Sequence, residues 1–189
     1  LFGRLEELGA IVALTADHGM NDKADDDGSP CVVWLQDILD AAFGKGTSTV
    51  ICPITDAFVG HHGALGGFVR VYCHADLTAE QVIETIRDVP GLEQVLSREE
   101  VADTYDLPFD VEGDVAVLGD ACTVIGASEK DHDLSGLKGH RLRTHGSVYE
   151  ADVPIVLSRP VSDLYARRDE AGRLHSYQVF DYVLNGTVN

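Results

Sequence analysis

Residues Ala10-Ile11-Val12-Ala13-Leu14-Thr15-Ala16-Asp17-His18-Gly19-Met20 form an apolar run that stops at a carboxylate, an imidazole and a glycine. A continuous apolar run of this length reads as a buried strand of the parallel type. Open α/β sheets present their ligands beyond the C-terminal ends of such strands, where Asp17 and His18 then project. Asp offers a hard oxygen and His a borderline nitrogen, a pair suited to zinc or a similar divalent ion. Gly19 lets the backbone turn sharply straight after them. An isolated Asp-His pair is more often a cap followed by a loop residue. The strand before this pair and a second signal far downstream favour the metal reading.

The totals narrow the classes. The 189 residues carry 14 basic and 32 acidic side chains, a formal net charge of −18, and only four of the basic residues are Lys. Such a surface repels phosphate backbones and anionic membranes, so we expect no nucleic acid and no membrane partner. A small anionic substrate still fits if bound metal ions reverse the field locally. No apolar run reaches the ~18 residues of a membrane helix and no leader is visible, which gives a cytoplasmic expectation. Cys31, Cys52, Cys73 and Cys122 are widely spaced, contain no Cys-x-x-Cys and give no disulfide framework. The chain opens at Leu1 rather than Met, and its first helical segment, Phe2 to Leu8, starts without a cap. We therefore expect a piece of a longer protein.

Outward from the Asp-His turn, 21–30 is an acidic loop whose Asp25-Asp26-Asp27 run lacks the alternation of a calcium loop and reads as solvated. Asp37 to Phe43 is a short amphipathic helix ended by Gly44, and Val50 to Ile54 is a strand. Phe68 to Cys73 alternates as a half-exposed strand does. Thr78 starts a helix over Ala79 to Asp88, Leu92 to Leu96 is a strand, and Ser97-Arg98-Glu99-Glu100 opens another helix near a capping box. With the strand at Val115 to Leu118 these make a small α+β block. The expected organisation is an α/β core over 1–66, an α+β cap insertion over 67–119, and the core again over 120–189. Asp152 to Ser158 reads as a strand. Ser176 to Leu184 reads as a terminal helix whose Tyr177, Phe180, Val183 and Leu184 enter the core.

The second signal is His132-Asp133-Leu134-Ser135-Gly136-Leu137, followed by Arg143-Thr144-His145-Gly146. His145-Gly146 repeats the arrangement of His18-Gly19, an imidazole on a turn beside a strand. Only tertiary structure could bring two such turns together. Leu14 to Met20 resembles the metal-binding turn of the alkaline phosphatase superfamily, in its nucleotide pyrophosphatase/phosphodiesterase-like branch. Within that branch, His61-His62-Gly63-Ala64-Leu65-Gly66 and the two segments around His132 and His145 resemble the phosphonoacetate hydrolase family. The likeness runs from about Ile11 to Arg159, and its later motifs are the more selective ones.

The resemblance implies the C-terminal part of an alkaline-phosphatase-like three-layer sandwich with a small cap. It implies a hydrolase with two Zn2+ ions about 4 Å apart that cleaves the carbon–phosphorus bond of phosphonoacetate, giving acetate and phosphate. By motif, Asp17 and His18 would bind one zinc and His145 the other. His62, His132 and Arg143 are weaker candidates for touching substrate. In this family a Thr is the nucleophile and an Asp-x-x-x-His pair completes the second metal site. None of the eight histidines here has an acid four residues before it, and Thr15 lies within the strand as a framework residue. The nucleophile and the remaining ligands are thus expected upstream of Leu1. A homodimer is a further expectation. Two alternatives stay open: another phosphodiesterase or pyrophosphatase of the superfamily, and a non-catalytic truncated product.

Overall fold

The computed structural model describes residues 2–54, 65–137, 139–170, 172 and 174–188, with the backbone alone at 169 and 170. Its strands in chain order are β1 (Ala13–Leu14), β2 (Asn21–Asp22), β3 (Val32–Trp34), β4 (Ser48–Ile51), β5 (Phe68–Cys73), β6 (Leu92–Ser97), β7 (Val115–Gly119), β8 (Val124–Gly126), β9 (Arg143–Thr144) and β10 (Val156–Leu157). The longer helices are α1 (Phe2–Glu7), α2 (Leu35–Phe43), α3 (Ala79–Ile86), α4 (Arg98–Tyr105) and α5 (Asp163–Glu170). The chain divides into two compact units, 20–150 and 1–19 with 151–189.

The unit 20–150 is built on a four-stranded antiparallel sheet in the order β4-β5-β7-β6. Strand β7, Val-Ala-Val-Leu-Gly, is buried along its whole length, as an interior strand covered on both faces must be. Val69 and Val71 of β5 and Val50 of β4 alternate inward. They meet Leu35 and Leu39 of α2 and Val82 and Ile86 of α3, one turn apart on the inner face of each helix. Both expected N-termini are present. Thr78 and Ser97 each accept an N–H three residues on, and Gln81 and Glu100 return the bond, which makes two complete capping boxes. Gln36 ties α2 to the sheet by accepting the Val50 N–H at 2.8 Å. The residues of 67–119 therefore share one sheet and one core with residues from 35–51.

A parallel pair, β3 with β8, lies beside a smaller core of Leu65, Val124, Leu137 and Leu142. Asp25, Asp26 and Asp27 are exposed, in keeping with a solvated loop, and the loop closes on itself through Ser29 N–H bonds to Asp25 and Asp27.

The unit formed by 1–19 and 151–189 departs from the sequence reading in three places. The apolar run at 10–16 is not a long parallel strand. Only Ala13 and Leu14 pair, antiparallel to Val156–Leu157, with Val12 and Ser158 extending the contact by two bonds. Ile11 and Leu14 are 39% and 51% exposed. Apolar composition reports affinity for burial, whereas strand direction is set by whichever segment arrives alongside. For the same reason the strand expected over 152–158 shrinks to two residues. The third departure is the terminal helix, which winds as 3₁₀ over Ser176–Gln178, α over Val179–Asp181 and π over Tyr182–Gly186. Tyr177, Phe180 and Leu184 are 68–79% exposed, and the buried face is Val179, Tyr182 and Gly186. Periodicity defines two faces without saying which one packs. Here Tyr165 decides: its ring meets Tyr182 edge-on at 4.9 Å, and a Cβ on Gly186 would come within 2.6 Å of it.

Candidate functional site

Asp17 and His18 follow β1 in the unit 1–19/151–189. The Asp17 carboxylate accepts the His18 backbone N–H at 3.0 Å through Oδ1, while Oδ2 lies 3.6 Å from His18 Nε2. His18 Nδ1 is 2.8 Å from the Gly19 carbonyl. A carbonyl can only accept, so Nδ1 carries a proton and donates it to Gly19. That is how a ligating imidazole is held: one nitrogen is tied to an acceptor, and the other is turned toward the ion. The Asp17 side chain is 87% exposed and that of His18 37%. This donor pair fits a zinc ion, as two of the three or four protein ligands such a site needs. Among the described residues no group of three His, Cys, Asp or Glu side chains gathers closely enough to hold an ion.

Asp17 also lines a cavity of about 570 Å³ within its own unit, shared with Asp152, His175, Ser176 and Tyr177. The size suits a small ligand with its water. His175 is exposed and stacks on Tyr177 at 5.2 Å along this cavity.

His145 belongs to the other unit, 20–150, directly after β9, which pairs Arg143–Thr144 with Asn21–Asp22. Its position is set by a backbone-to-backbone approach. The Gly67 N–H donates to the His145 carbonyl at 2.8 Å. A Cβ on Gly67 would lie 2.7 Å from the Ser147 nitrogen. Gly146 has φ +114, and a Cβ there would meet Gly67 and Ile54 at 3.1 Å. Glycine is required on both sides of this contact because nothing larger lets the two chains close.

Beneath that contact lies a pair the sequence reading missed. Lys23 is fully buried, its ammonium 2.9 Å from Glu150 and 3.0 Å from the Ala121 carbonyl. The other Glu150 oxygen accepts both the N–H and the hydroxyl of Ser147 at 2.9 Å. Two residues after His145, the chain is thus bolted to a buried ion pair. The spacing Ser147-x-x-Glu150 is a capping-box signature, so half of this device was legible; a buried Lys inside an acidic loop was not.

The weaker candidates separate. His132 accepts the Ala127 N–H through Nε2 at 3.1 Å and stacks on Trp34 at 5.4 Å. With Leu134 and Leu137 packed in the smaller core, the stretch from His132 to Leu137 holds its own loop in place. Arg143 is exposed on β9. His61 and His62 lie outside the described residues.

No family model matches the chain. Among solved structures, phosphonoacetate hydrolase from Sinorhizobium meliloti, crystallised with phosphonoacetate and with phosphonoformate, matches 99% of this chain at 37% identity and a TM-score of 0.85. This chain spans 44% of that protein's length. Murine and human ectonucleotide pyrophosphatase/phosphodiesterase 5 match 96% and 98% of the chain and share its fold, with a TM-score of 0.58 at 15% identity, over 48% and 49% of their lengths. Over nearly its whole length the chain is similar to phosphonoacetate hydrolase, and it shares the alkaline-phosphatase-like fold of that protein and of the two ectonucleotide pyrophosphatases/phosphodiesterases.

Proposed function

We propose that this chain is part of a zinc-dependent phosphonate hydrolase that converts phosphonoacetate and water to acetate and phosphate. The observation that carries the reading is the likeness to phosphonoacetate hydrolase at 37% identity across 99% of the chain, in a protein crystallised with phosphonoacetate itself. The Asp17–His18 geometry supports it independently of that likeness. Asp17 and His18 would hold one ion and His145 another; two zinc ions in such a site supply positive charge to the oxygens of the group being transferred. The chain's own contribution is placement. The Gly19 carbonyl fixes the orientation of the His18 ring through Nδ1. The Gly67–Gly146 contact and the Lys23–Glu150–Ser147 chain of bonds fix the backbone that carries His145. The attacking Thr and the groups that would grip the substrate carboxylate belong, in this reading, to residues outside the 189.

The test is phosphate release from phosphonoacetate by the protein encoded by the complete reading frame, before and after chelation. We expect release that disappears with the metal and returns with zinc, and His145→Ala should lose most of it. Full activity in His145→Ala would sink the metal assignment. Hydrolysis of a nucleotide phosphodiester without attack on phosphonoacetate would transfer the chain to a different reaction within the superfamily. For the 189 residues alone we expect weak zinc binding, abolished in Asp17→Ala/His18→Ala, and no turnover.

A further inference from the structure

Cys31 and Cys122, 91 residues apart in sequence, place their sulfurs 3.2 Å from each other within the unit 20–150. The approach is built into the backbone. Cys31 directly precedes β3 and Cys122 lies two residues before β8, and these strands run parallel with Val32 opposite Val124. The Val124 N–H donates to the Cys31 carbonyl at 2.9 Å, and the Cys31 N–H donates to Lys23 at 3.0 Å. On the other side, the Asp120 carboxylate accepts the N–H groups of Cys122 and Thr123 at 2.9 and 2.8 Å. Both cysteines are partly buried.

We propose that Cys31 and Cys122 are a reversible disulfide site, closed by exchange with a low-molecular-weight disulfide such as glutathione disulfide. In the first step one protein thiolate attacks a sulfur of the oxidant, forming a mixed disulfide and releasing one thiolate. The second cysteine then displaces the other half, its proton passing to the departing thiolate. The net change is one protein disulfide and two small thiols from two protein thiols and one small disulfide. Burial, helped by the contact with Cys122, pushes the Cys31 thiol up to about 12, so closure quickens as pH rises. The bond would tie the starts of β3 and β8 beside the carbonyl of Ala121 that holds Lys23.

The experiment incubates the 189-residue chain with glutathione disulfide, then counts thiols after denaturation and maps linked peptides without reduction. The thiol count should fall from four to two, the intact mass should drop by two hydrogens, and the one bridged peptide pair should contain Cys31 and Cys122. Dithiothreitol should restore all four. Cys31→Ser and Cys122→Ser should each form no internal bridge and instead keep three thiols or retain one bound glutathione. Four thiols persisting at equilibrium would overturn the proposal. So would a bridge that uses Cys52 or Cys73, or crosslinks found only between chains.

Discussion

The two compact units treat their apolar residues in opposite ways. The unit 20–150 gathers ten buried side chains into one cluster under its four-stranded sheet and four more beside β3 and β8. In 1–19 with 151–189, the buried apolar side chains among the described residues are Tyr165, Val179 and Tyr182, while Phe2, Leu8, Leu14, Val156, Phe180 and Leu184 are exposed. His145 rides on the first kind of unit and Asp17–His18 on the second. One candidate ligand is therefore held by a packed core and a buried ion pair. The others are held by short-range bonds to their own neighbours.

Four substitutions bear on that contrast. The largest effect is expected from Glu150→Ala, which leaves the Lys23 ammonium buried without its carboxylate and frees Ser147. Stripping one partner from a buried pair costs about 3–5 kcal/mol. Trp34, the single tryptophan, lies in the same unit and reports the loss as a shift in the urea midpoint of its fluorescence. A loss under about 1 kcal/mol, the range of an exposed pair, would show that the pair does not carry the His145 backbone.

Next come Leu39→Ala and Phe180→Ala, measured side by side. Leu39 is fully buried and its truncation should cost about 2–5 kcal/mol. Phe180 is 71% exposed and its truncation should stay within about 0.5 kcal/mol. Equal losses would erase the difference between the two units.

The smallest effect concerns acid. Asp37 accepts from the Ser128 hydroxyl at 2.7 Å and the Glu129 N–H at 3.0 Å, and these bonds hold its carboxyl below the ordinary value of 3.8. A depressed carboxyl stabilises the fold above its unfolded value and loses that contribution as pH falls through the folded one. Asp37→Asn should therefore be less stable than the parent at neutral pH, with the gap narrowing below about pH 3.8. A gap that stays constant through that range would mean that the bonds, and not the charge, are what Asp37 contributes.

Local chemistry was legible to the residue in some places. The caps at Thr78 and Ser97, the strand from Phe68 to Cys73 and the stop at Gly44 all stand where the residues place them, because a cap or an alternating strand is decided within a few positions. The thiol pair, the buried Lys23 and the glycine contact at 67 and 146 were not legible. Each joins segments about ninety residues or more apart, or about eighty for the glycines, and spacing along the chain carries no trace of such meetings.

By itself the sequence determined the strands that begin at Phe68, Leu92 and Val115, the capped helices after Thr78 and Ser97, the acidic solvated loop and the residue types able to hold a metal. It also determined the likeness that the solved structures bear out. Tertiary structure alone decided which face of the terminal helix packs, that the run at 10–16 pairs antiparallel for two residues, and what lies beneath His145. The reason is physical. Propensity and periodicity act over one or two turns, while burial and strand direction are properties of the segment that arrives from elsewhere in the chain.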